Sequence, residues 1–314
     1  MATVATLGER GLIERIRRRV RVSRWVEVGP GDDAAVLRWS SARQRLLFAS
    51  DLLIEGTHFT RRRTAPRWIG WKALARNVSD IAAMGGEPCY AVVSLGLPPS
   101  TPLAFVDGLY DGLRRCAKAF DVDLVGGDTV RAPRVVIDVA IIGRVAPSEV
   151  VLRSGARVGD RLFVTGRLGG SLRSGRHATF MPRVAQARWL VTHLPLSAMI
   201  DLSDGLASDA WQIARASRAT LRLEAARIPM TRAARTRQSR VSRGGQALQH
   251  ALMDGEDFEL LFAVPPSAAH RVPRAIARVP VTAIGRVVAR GAGVELEYPN
   301  GTIRTLTPRG FRHF

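Results

Sequence analysis

Aspartates beside glycines are the residues of this sequence whose types and spacing could do chemistry. They occur in four short stretches: GPGDDAA (29 to 35), GGDT (126 to 129), SDG (203 to 205) and DGEDFE (254 to 259). Each stretch lies next to a predicted strand end. Mg²⁺ prefers carboxylate oxygens, and one or two carboxylates often join it to substrate phosphates. The pattern therefore favours phosphate chemistry assisted by a metal.

The usual lysine-based phosphate sites are excluded. The chain has two lysines, Lys72 and Lys118, and neither stands in a GxxxxGK[ST] stretch. The VAIK, HRD and DFG stretches of protein kinases are also missing. A bound nucleotide would therefore need metal-held aspartates to neutralise its phosphates. Lys72 itself is expected to be solvated or at an interface.

Seven aspartates are candidate metal ligands: Asp32, Asp33, Asp51, Asp80, Asp128, Asp201 and Asp204. Asp51 lies in an apolar strand and Asp80 on a helix with core-like neighbours, where an unpaired carboxylate is costly to bury. Any single aspartate beside glycine also fits a turn or helix cap, and Asp204 fits an N-cap. Asp209 is expected off the face of Asp204, either behind the ligands or at the surface.

The elements that position these residues alternate between strands and helices. In the first half, strands are predicted at 46 to 53, 90 to 97 and 134 to 145, and helices at 68 to 84 and 102 to 120. In the second half, the strands AMIDL, ELLFAV, TAIGRVV and VELEY accompany a helix at 204 to 218. This order predicts an α/β (α+β) fold of mixed sheets flanked by helices. We predict two domains, 1–148 and 149–314, with the boundary at about residue 148.

Composition narrows the class of protein. The 314 residues include 46% hydrophobic residues, no apolar run of membrane-spanning length and no secretory signal, so a cytoplasmic globular protein is expected. Two cysteines, Cys89 and Cys116, cannot form a disulfide framework. The net charge of +20 comes from scattered arginines without a zinc-finger or RNP-like motif. A specific nucleic-acid role is therefore not expected.

Longer stretches resemble the thiamine-monophosphate kinase family, within the superfamily of aminoimidazole ribonucleotide synthetase. The stretches are GDDAAVL (31–37), SDLLIEGTHF (50–59), GWKALARNVSDIAAMGGEP (70–88), LVGGDT (124–129), RSGARVGDRLFVTG (153–166), MIDLSDGLASD (199–209) and MDGEDFELLFAV (253–264). The resemblance runs from about Gly8 to the C-terminus. It implies a two-domain fold whose N-terminal domain binds ATP and Mg²⁺ and pairs with its copy in a homodimer.

The resemblance also implies an activity and a set of site residues. The activity is transfer of the γ-phosphoryl group of ATP directly onto thiamine monophosphate, giving thiamine diphosphate, with no protein nucleophile or base. The implied Mg²⁺ ligands are Asp33, Ser50, Asp51, Asp80, Asp128, Asp201 and Asp204. The implied ATP contacts are Tyr110, Gly127, Asp128, Arg153 and Ser203, and the implied thiamine contacts are His58, Glu256 and Phe311. His58 also fits a structural histidine at the end of a strand, whose ring has its hydrogen bonds satisfied within the protein.

Two alternatives stay open at this point. One is a superfamily relative such as a selenophosphate synthetase or a hydrogenase-maturation protein, although the chain lacks their reactive cysteine regions. The other is a basic nucleic-acid-binding protein, whose binding would fall steeply with salt and survive Asp51→Asn and Asp128→Asn. A kinase should lose turnover in either variant.

Overall fold

The computed structural model describes residues 11, 14, 23–29, 31–38, 43–235 and 243–307, and its strands form two sheets. The first sheet contains β1 (Val26–Val28), β2 (Ala35–Arg38), β3 (Arg45–Ile54), β4 (Glu87–Leu97), β5 (Asp123–Arg131) and β6 (Val136–Val145). The spatial order is β1-β2-β3-β6-β4-β5, and only the β4 and β5 pair is parallel. The predicted strands at 46 to 53, 90 to 97 and 134 to 145 are confirmed as β3, β4 and β6.

Two helices cover one face of the first sheet, α1 (Pro66–Ala83) and α2 (Leu103–Phe120). Both were predicted, and the apolar stripe of α2 is confirmed by the complete burial of Leu109 and Leu113. Glycines allow the two helices to touch through their backbones. A Cβ on Gly70 would lie 1.9 Å from the carbonyl oxygen of Leu109, and one on Gly112 would lie 1.8 Å from that of Arg67. Any larger residue at either glycine would push α1 and α2 apart.

No described helix or strand covers the opposite face of this sheet. Along β3, Leu47 is fully buried under the helices, whereas Phe48 and Leu52 are 45% and 44% exposed. On β4, Tyr90 and Val92 are also exposed. The alternation is that of a sheet with one covered face. We call this bare surface the open face.

The second sheet belongs to the C-terminal half. Its strands are β7 (Arg161–Thr165), β8 (Ala198–Asp201), β9 (Ala219–Glu224), β10 (Leu260–Val264), β11 (Ala275–Ile276), β12 (Val279–Arg290), β13 (Gly293–Glu297) and β14 (Ile303–Thr305). The order is β14-β13-β9-β12-β7-β10-β8, with β11 beside β12. The longer helices of this half are α3 (Val184–His193), α4 (Leu206–Ser217) and α5 (Arg243–Met253), and single-turn helices occur at Ser171–Ser174 and Pro266–Ala269. The mixed α/β class is therefore confirmed.

The two halves share a hydrophobic core. Ala82 and Ala83 at the end of α1 are completely buried in one cluster with Leu190 of α3 and with Phe163 and Phe262 of the second sheet. The predicted domain boundary at about 148 falls between the two sheets and stays a prediction. None of the helices in the described part of the chain has the length and apolar character needed to cross a membrane.

Candidate active site

Three carboxylates from both halves of the chain meet at one point. They belong to Asp33 in the turn before β2, Asp80 near the end of α1 and Asp201 at the end of β8. One oxygen from each residue lies within 4.8 Å of the other two. All three were predicted metal ligands, and the structure brings them together. We call them the carboxylate cluster.

Burial and mutual repulsion make the cluster unfavourable without a cation. Burial, reinforced by Asp33, raises the pKa of Asp201 to about 7, although Ser79 Oγ donates a hydrogen bond of 2.5 Å to it. Burial also raises the pKa of Asp80, and the neighbouring carboxylates act in the same direction. Like charges gathered in a poorly solvated site favour a cation between them. The all-oxygen donor set fits a hard ion such as Mg²⁺.

Arg153 lies directly against this cluster. Its Nη2 and Nε donate to the two carboxylate oxygens of Asp33 at 2.6 and 3.1 Å, which is a bidentate pair. Its backbone N–H donates to the neighbouring Asp32 at 3.1 Å. Arg153 was predicted as an ATP contact, and the structure places it next to a predicted metal ligand. A guanidinium at this position can also bind phosphate oxygens.

Asp51 is paired with a residue that the sequence reasoning missed. Arg76 on α1 donates from Nη2 to Asp51 Oδ1 at 3.3 Å, and its Nε lies 3.0 Å from Asp51 Oδ2. Burial disfavours the charged guanidinium, but nearby carboxylates outweigh this effect and raise the pKa of Arg76. The carboxylates responsible include those of Asp51, Asp80 and Asp201. Asp51 is therefore an electrostatic neighbour of the cluster.

The predicted thiamine end is organised by Lys72. Its ammonium is 2.5 Å from Glu256 Oε1 and donates to the carbonyl oxygen of His58 at 3.1 Å. Lys72 is 0% exposed, so the expectation of a solvated lysine is wrong. His58 Nδ1 accepts a hydrogen bond from the backbone N–H of Ile54, as in the alternative interpretation of this histidine. Phe311, the third predicted thiamine contact, lies outside the described residues.

Two predicted ligands lie on the open face, away from the helices. Ser50 donates to Asp138 Oδ1 at 2.9 Å, and Asp128 pairs in register with Ser94 on the same side of the sheet. Asp51 points to the opposite side because successive residues of a strand alternate. The structure therefore separates these two residues from Asp51 by the thickness of the sheet.

The remaining predicted nucleotide contacts lie on α2, on β5 and at the SDG turn. Tyr110 is an exposed residue of α2, and Gly127 lies on the edge strand β5. Gly127 has φ of +157°, and a Cβ there would lie 1.9 Å from a carbonyl oxygen of β4, so only glycine fits. Ser203 accepts a hydrogen bond from the backbone N–H of Glu256 at 2.7 Å, through its carbonyl oxygen.

Asp209 fixes the turn that carries Asp204. One of its carboxylate oxygens accepts hydrogen bonds from the backbone N–H groups of Asp204 and Gly205, each at 3.1 Å. Asp209 is only 2% exposed, so the surface alternative for this residue is wrong. Its position behind the turn agrees with the other alternative. It therefore fixes the backbone of the turn at Asp204 and Gly205.

The DGEDFE stretch contributes more than Glu256. Asp257 accepts from the backbone N–H of Gly169 at 2.8 Å and pairs with Arg176. Glu259 is fully buried and accepts two hydrogen bonds of 2.6 Å from Arg183. These partners hold the turn in which Glu256 has a positive φ of 51°. The four acidic residues of the stretch were visible in the sequence as a candidate site. The arginine partners could not be predicted, because Arg176 and Arg183 are distant in sequence.

Comparison with known families places this fold and site in one class. Residues 31–145 match the family described as AIR synthase related protein, N-terminal domain. That region includes strands β2 to β6 of the first sheet, both of its helices and two members of the carboxylate cluster. The N-terminal half of the chain is therefore similar to the N-terminal domain of AIR synthase-related proteins.

Relatives of full length narrow the family further. The thiamine-monophosphate kinase of Rhodopirellula baltica is 37% identical over 313 residues, and the match covers 97% of this chain and 97% of that relative. The chain belongs to the thiamine-monophosphate kinase family.

Solved structures agree with this assignment. AaThiL complexed with AMPPCP and TMP has a TM-score of 0.86 at 30% identity and covers 100% of this chain and 99% of its own. Hydrogenase maturation protein HypE in complex with ATP has a TM-score of 0.69 at 20% identity, with coverage of 88% and 87%. The HypE likeness shows the shared fold alone. The predicted aminoimidazole ribonucleotide synthetase-like architecture of mixed sheets flanked by helices is confirmed.

Proposed function

We propose that this chain transfers the γ-phosphoryl group of ATP to thiamine monophosphate, giving thiamine diphosphate. The observation that carries the proposal is the carboxylate cluster, in which three acidic side chains from both halves converge within 4.8 Å. Membership of the thiamine-monophosphate kinase family supports the substrate, as does the likeness to a relative complexed with AMPPCP and TMP.

We propose that Asp33, Asp80 and Asp201 hold Mg²⁺, with Asp51 and Asp204 as further ligands. The raised pKa of Asp201, about 7, is what a cation would relieve. Bound Mg²⁺ would supply charge neutralisation for two phosphate groups that otherwise repel. Ser50 and Asp128 stay predicted ligands. Their place on the open face supports a metal position separate from the cluster.

The protein's own part in the reaction is positioning. A phosphate acceptor is already largely deprotonated near neutral pH, so no side chain has to remove a proton. We therefore propose no catalytic base or nucleophile. Arg153 binds and orients ATP phosphates beside Asp33, with Tyr110, Gly127, Asp128 and Ser203 as the other proposed ATP contacts. His58, Glu256 and Phe311 are the proposed contacts of the thiamine end.

We further propose that the open face pairs with the same face of a second copy. Phe48, Leu52, Tyr90 and Val92 are 38 to 51% exposed on one sheet face, which is unusual for a monomer. The same face carries Ser50 and Asp128, so pairing would bring these predicted ligands against the second copy. A homodimer is therefore the proposed assembly, and the cytoplasmic location stays a prediction.

The test is an assay of purified protein with ATP, Mg²⁺ and thiamine monophosphate, with thiamine diphosphate separated by chromatography. The Asp80→Asn variant should fold, because it relieves the repulsion among the clustered carboxylates. It should lose turnover, because it removes a proposed Mg²⁺ ligand. The matched control is Asp107→Asn, since Asp107 is an exposed residue on α2. Folded wild-type protein that forms no thiamine diphosphate would refute the proposal.

A further inference from the structure

Arg76 is a cation with an unused hydrogen-bond donor inside the acidic site. Its side chain is only 15% exposed, and one edge of the guanidinium is engaged by Asp51. Nε lies 3.0 Å from Asp51 Oδ2 without forming a hydrogen bond, and the second terminal nitrogen, Nη1, is buried and also has no hydrogen-bond acceptor among the described residues. A buried donor without an acceptor costs about 1 to 3 kcal/mol. The position of Arg76 is therefore unfavourable unless a ligand supplies that acceptor.

The location of Arg76 on α1 shows what the ligand would be. Lys72, Arg76 and Asp80 follow each other at intervals of four residues, so they lie along one face of the helix. Four residues span roughly 6 Å of helix axis. Lys72 holds Glu256 at the proposed thiamine end, and Asp80 belongs to the carboxylate cluster. Arg76 is therefore midway between the thiamine end and the metal end.

A second arginine, Arg153, contacts a member of the carboxylate cluster. Arg153 binds Asp33 bidentately and is the proposed contact of the ATP phosphates. Arg76 lies on the side of Glu256, where a phosphate attached to the thiamine end would arrive. A guanidinium binds a carboxylate with one edge and offers its remaining N–H groups to a phosphate oxygen, because the donors are fixed in one plane.

We propose that Arg76 binds the acceptor phosphate of thiamine monophosphate through Nη1, while its other edge stays on Asp51. This contact makes the site prefer a phosphorylated thiamine to thiamine itself. The inference rests on the proposed function, since it requires a thiamine phosphate as the acceptor. It assigns a substrate-binding role to a residue that the sequence motifs did not single out.

The test compares the binding of thiamine monophosphate and thiamine by calorimetry, with Mg²⁺ and the non-hydrolysable analogue AMPPCP present. Arg76→Gln should weaken thiamine monophosphate binding by about tenfold to a hundredfold, the range expected for a hydrogen bond to a charged group. Thiamine binding should change by less than about twofold, because no phosphate contact is lost. Arg76→Lys, which keeps the charge and loses the planar fork, should give an intermediate loss and serves if the Gln variant does not fold.

The matched control is Arg188→Gln. Arg188 is also a partly buried arginine in ion pairs, with Glu149 and Glu87, but it lies on α3. This variant should leave the preference between the two ligands unchanged.

Three results would overturn the phosphate contact, and a fourth would refute the proposed function instead. Equal weakening of both ligands in Arg76→Gln would show a purely structural role. A changed Mg²⁺ affinity with an unchanged ligand preference would show that Arg76 only holds Asp51. Wild-type protein that prefers thiamine monophosphate but produces no thiamine diphosphate would refute the proposed function and leave the phosphate contact standing. Wild-type protein that turns over without any such preference would refute the contact alone.

Discussion

Replacing Lys72 by methionine should destabilise the protein and weaken substrate binding. The Lys72 side chain is 1% exposed and its partner Glu256 is 20% exposed. Removing one partner of a fully buried ion pair costs about 3 to 5 kcal/mol, because the other charge is left without compensation. The partial exposure of Glu256 lets water reduce that cost, so we expect a loss of about 2 to 3 kcal/mol.

The double variant Lys72→Met with Glu256→Gln measures the interaction free energy between the two side chains. It removes both charges and keeps similar volumes, so it should recover about 1 to 2 kcal/mol relative to the sum of the single losses. Urea unfolding followed by tryptophan fluorescence measures the four proteins of this cycle. In the assay, Lys72→Met should raise KM for thiamine monophosphate more than KM for ATP, since Lys72 contacts Glu256 and the carbonyl of His58. Strictly additive losses in the double variant would refute this reasoning.

Three further predictions concern other parts of the molecule. Gly127→Ala should unfold the β4 and β5 pairing and abolish ATP binding by calorimetry, because its Cβ would lie 1.9 Å from a backbone oxygen; Gly126→Ala, whose nearest contact would be 3.8 Å, should be tolerated. Burial raises the folded-state pKa of Asp257 from 3.8 to about 6, so the stability that its protonation provides is lost as pH rises from about 4 to 6. Asp257→Asn should flatten that fall in melting temperature, and an unchanged pH profile would contradict the assignment. Tyr90→Arg on the open face should give a monomer in sedimentation, whereas Leu103→Glu, at an exposed apolar residue on α2, should not; a wild-type monomer would refute the dimer.

Local patterns predicted the elements and the carboxylate cluster well. The α2 stripe has the helical period, and Asp80 and Asp201 stand out because carboxylates are rare in such apolar surroundings. The placement of Ser50 and Asp51 on opposite faces follows from strand alternation alone. Sequence cannot show which charges pair, because the pairing depends on the packing of distant segments. Lys72 and Glu256 are 184 residues apart, which is why the lysine was expected in solvent.

The buried partners of the DGEDFE stretch were hidden for the same reason. Arg176 and Arg183 look like two more arginines in a chain with 47 basic residues. Only the folded chain shows that both contact Glu259. A high arginine count therefore conceals a few structural arginines among many exposed ones.

The carboxylate cluster has a mechanical consequence for the chain as a whole. Asp33 and Asp80 belong to the N-terminal half and Asp201 to the C-terminal half, so their repulsion acts across the junction of the two halves. A cation bound among them would attract all three carboxylates and so replace the repulsion between the halves with attraction to a shared ion. The binding free energy of the ion is then added to the cohesion of the junction, by the linkage that stabilises any liganded state. If the proposed metal site is occupied, removing the ion should therefore weaken the contact between the two halves as well as lower turnover.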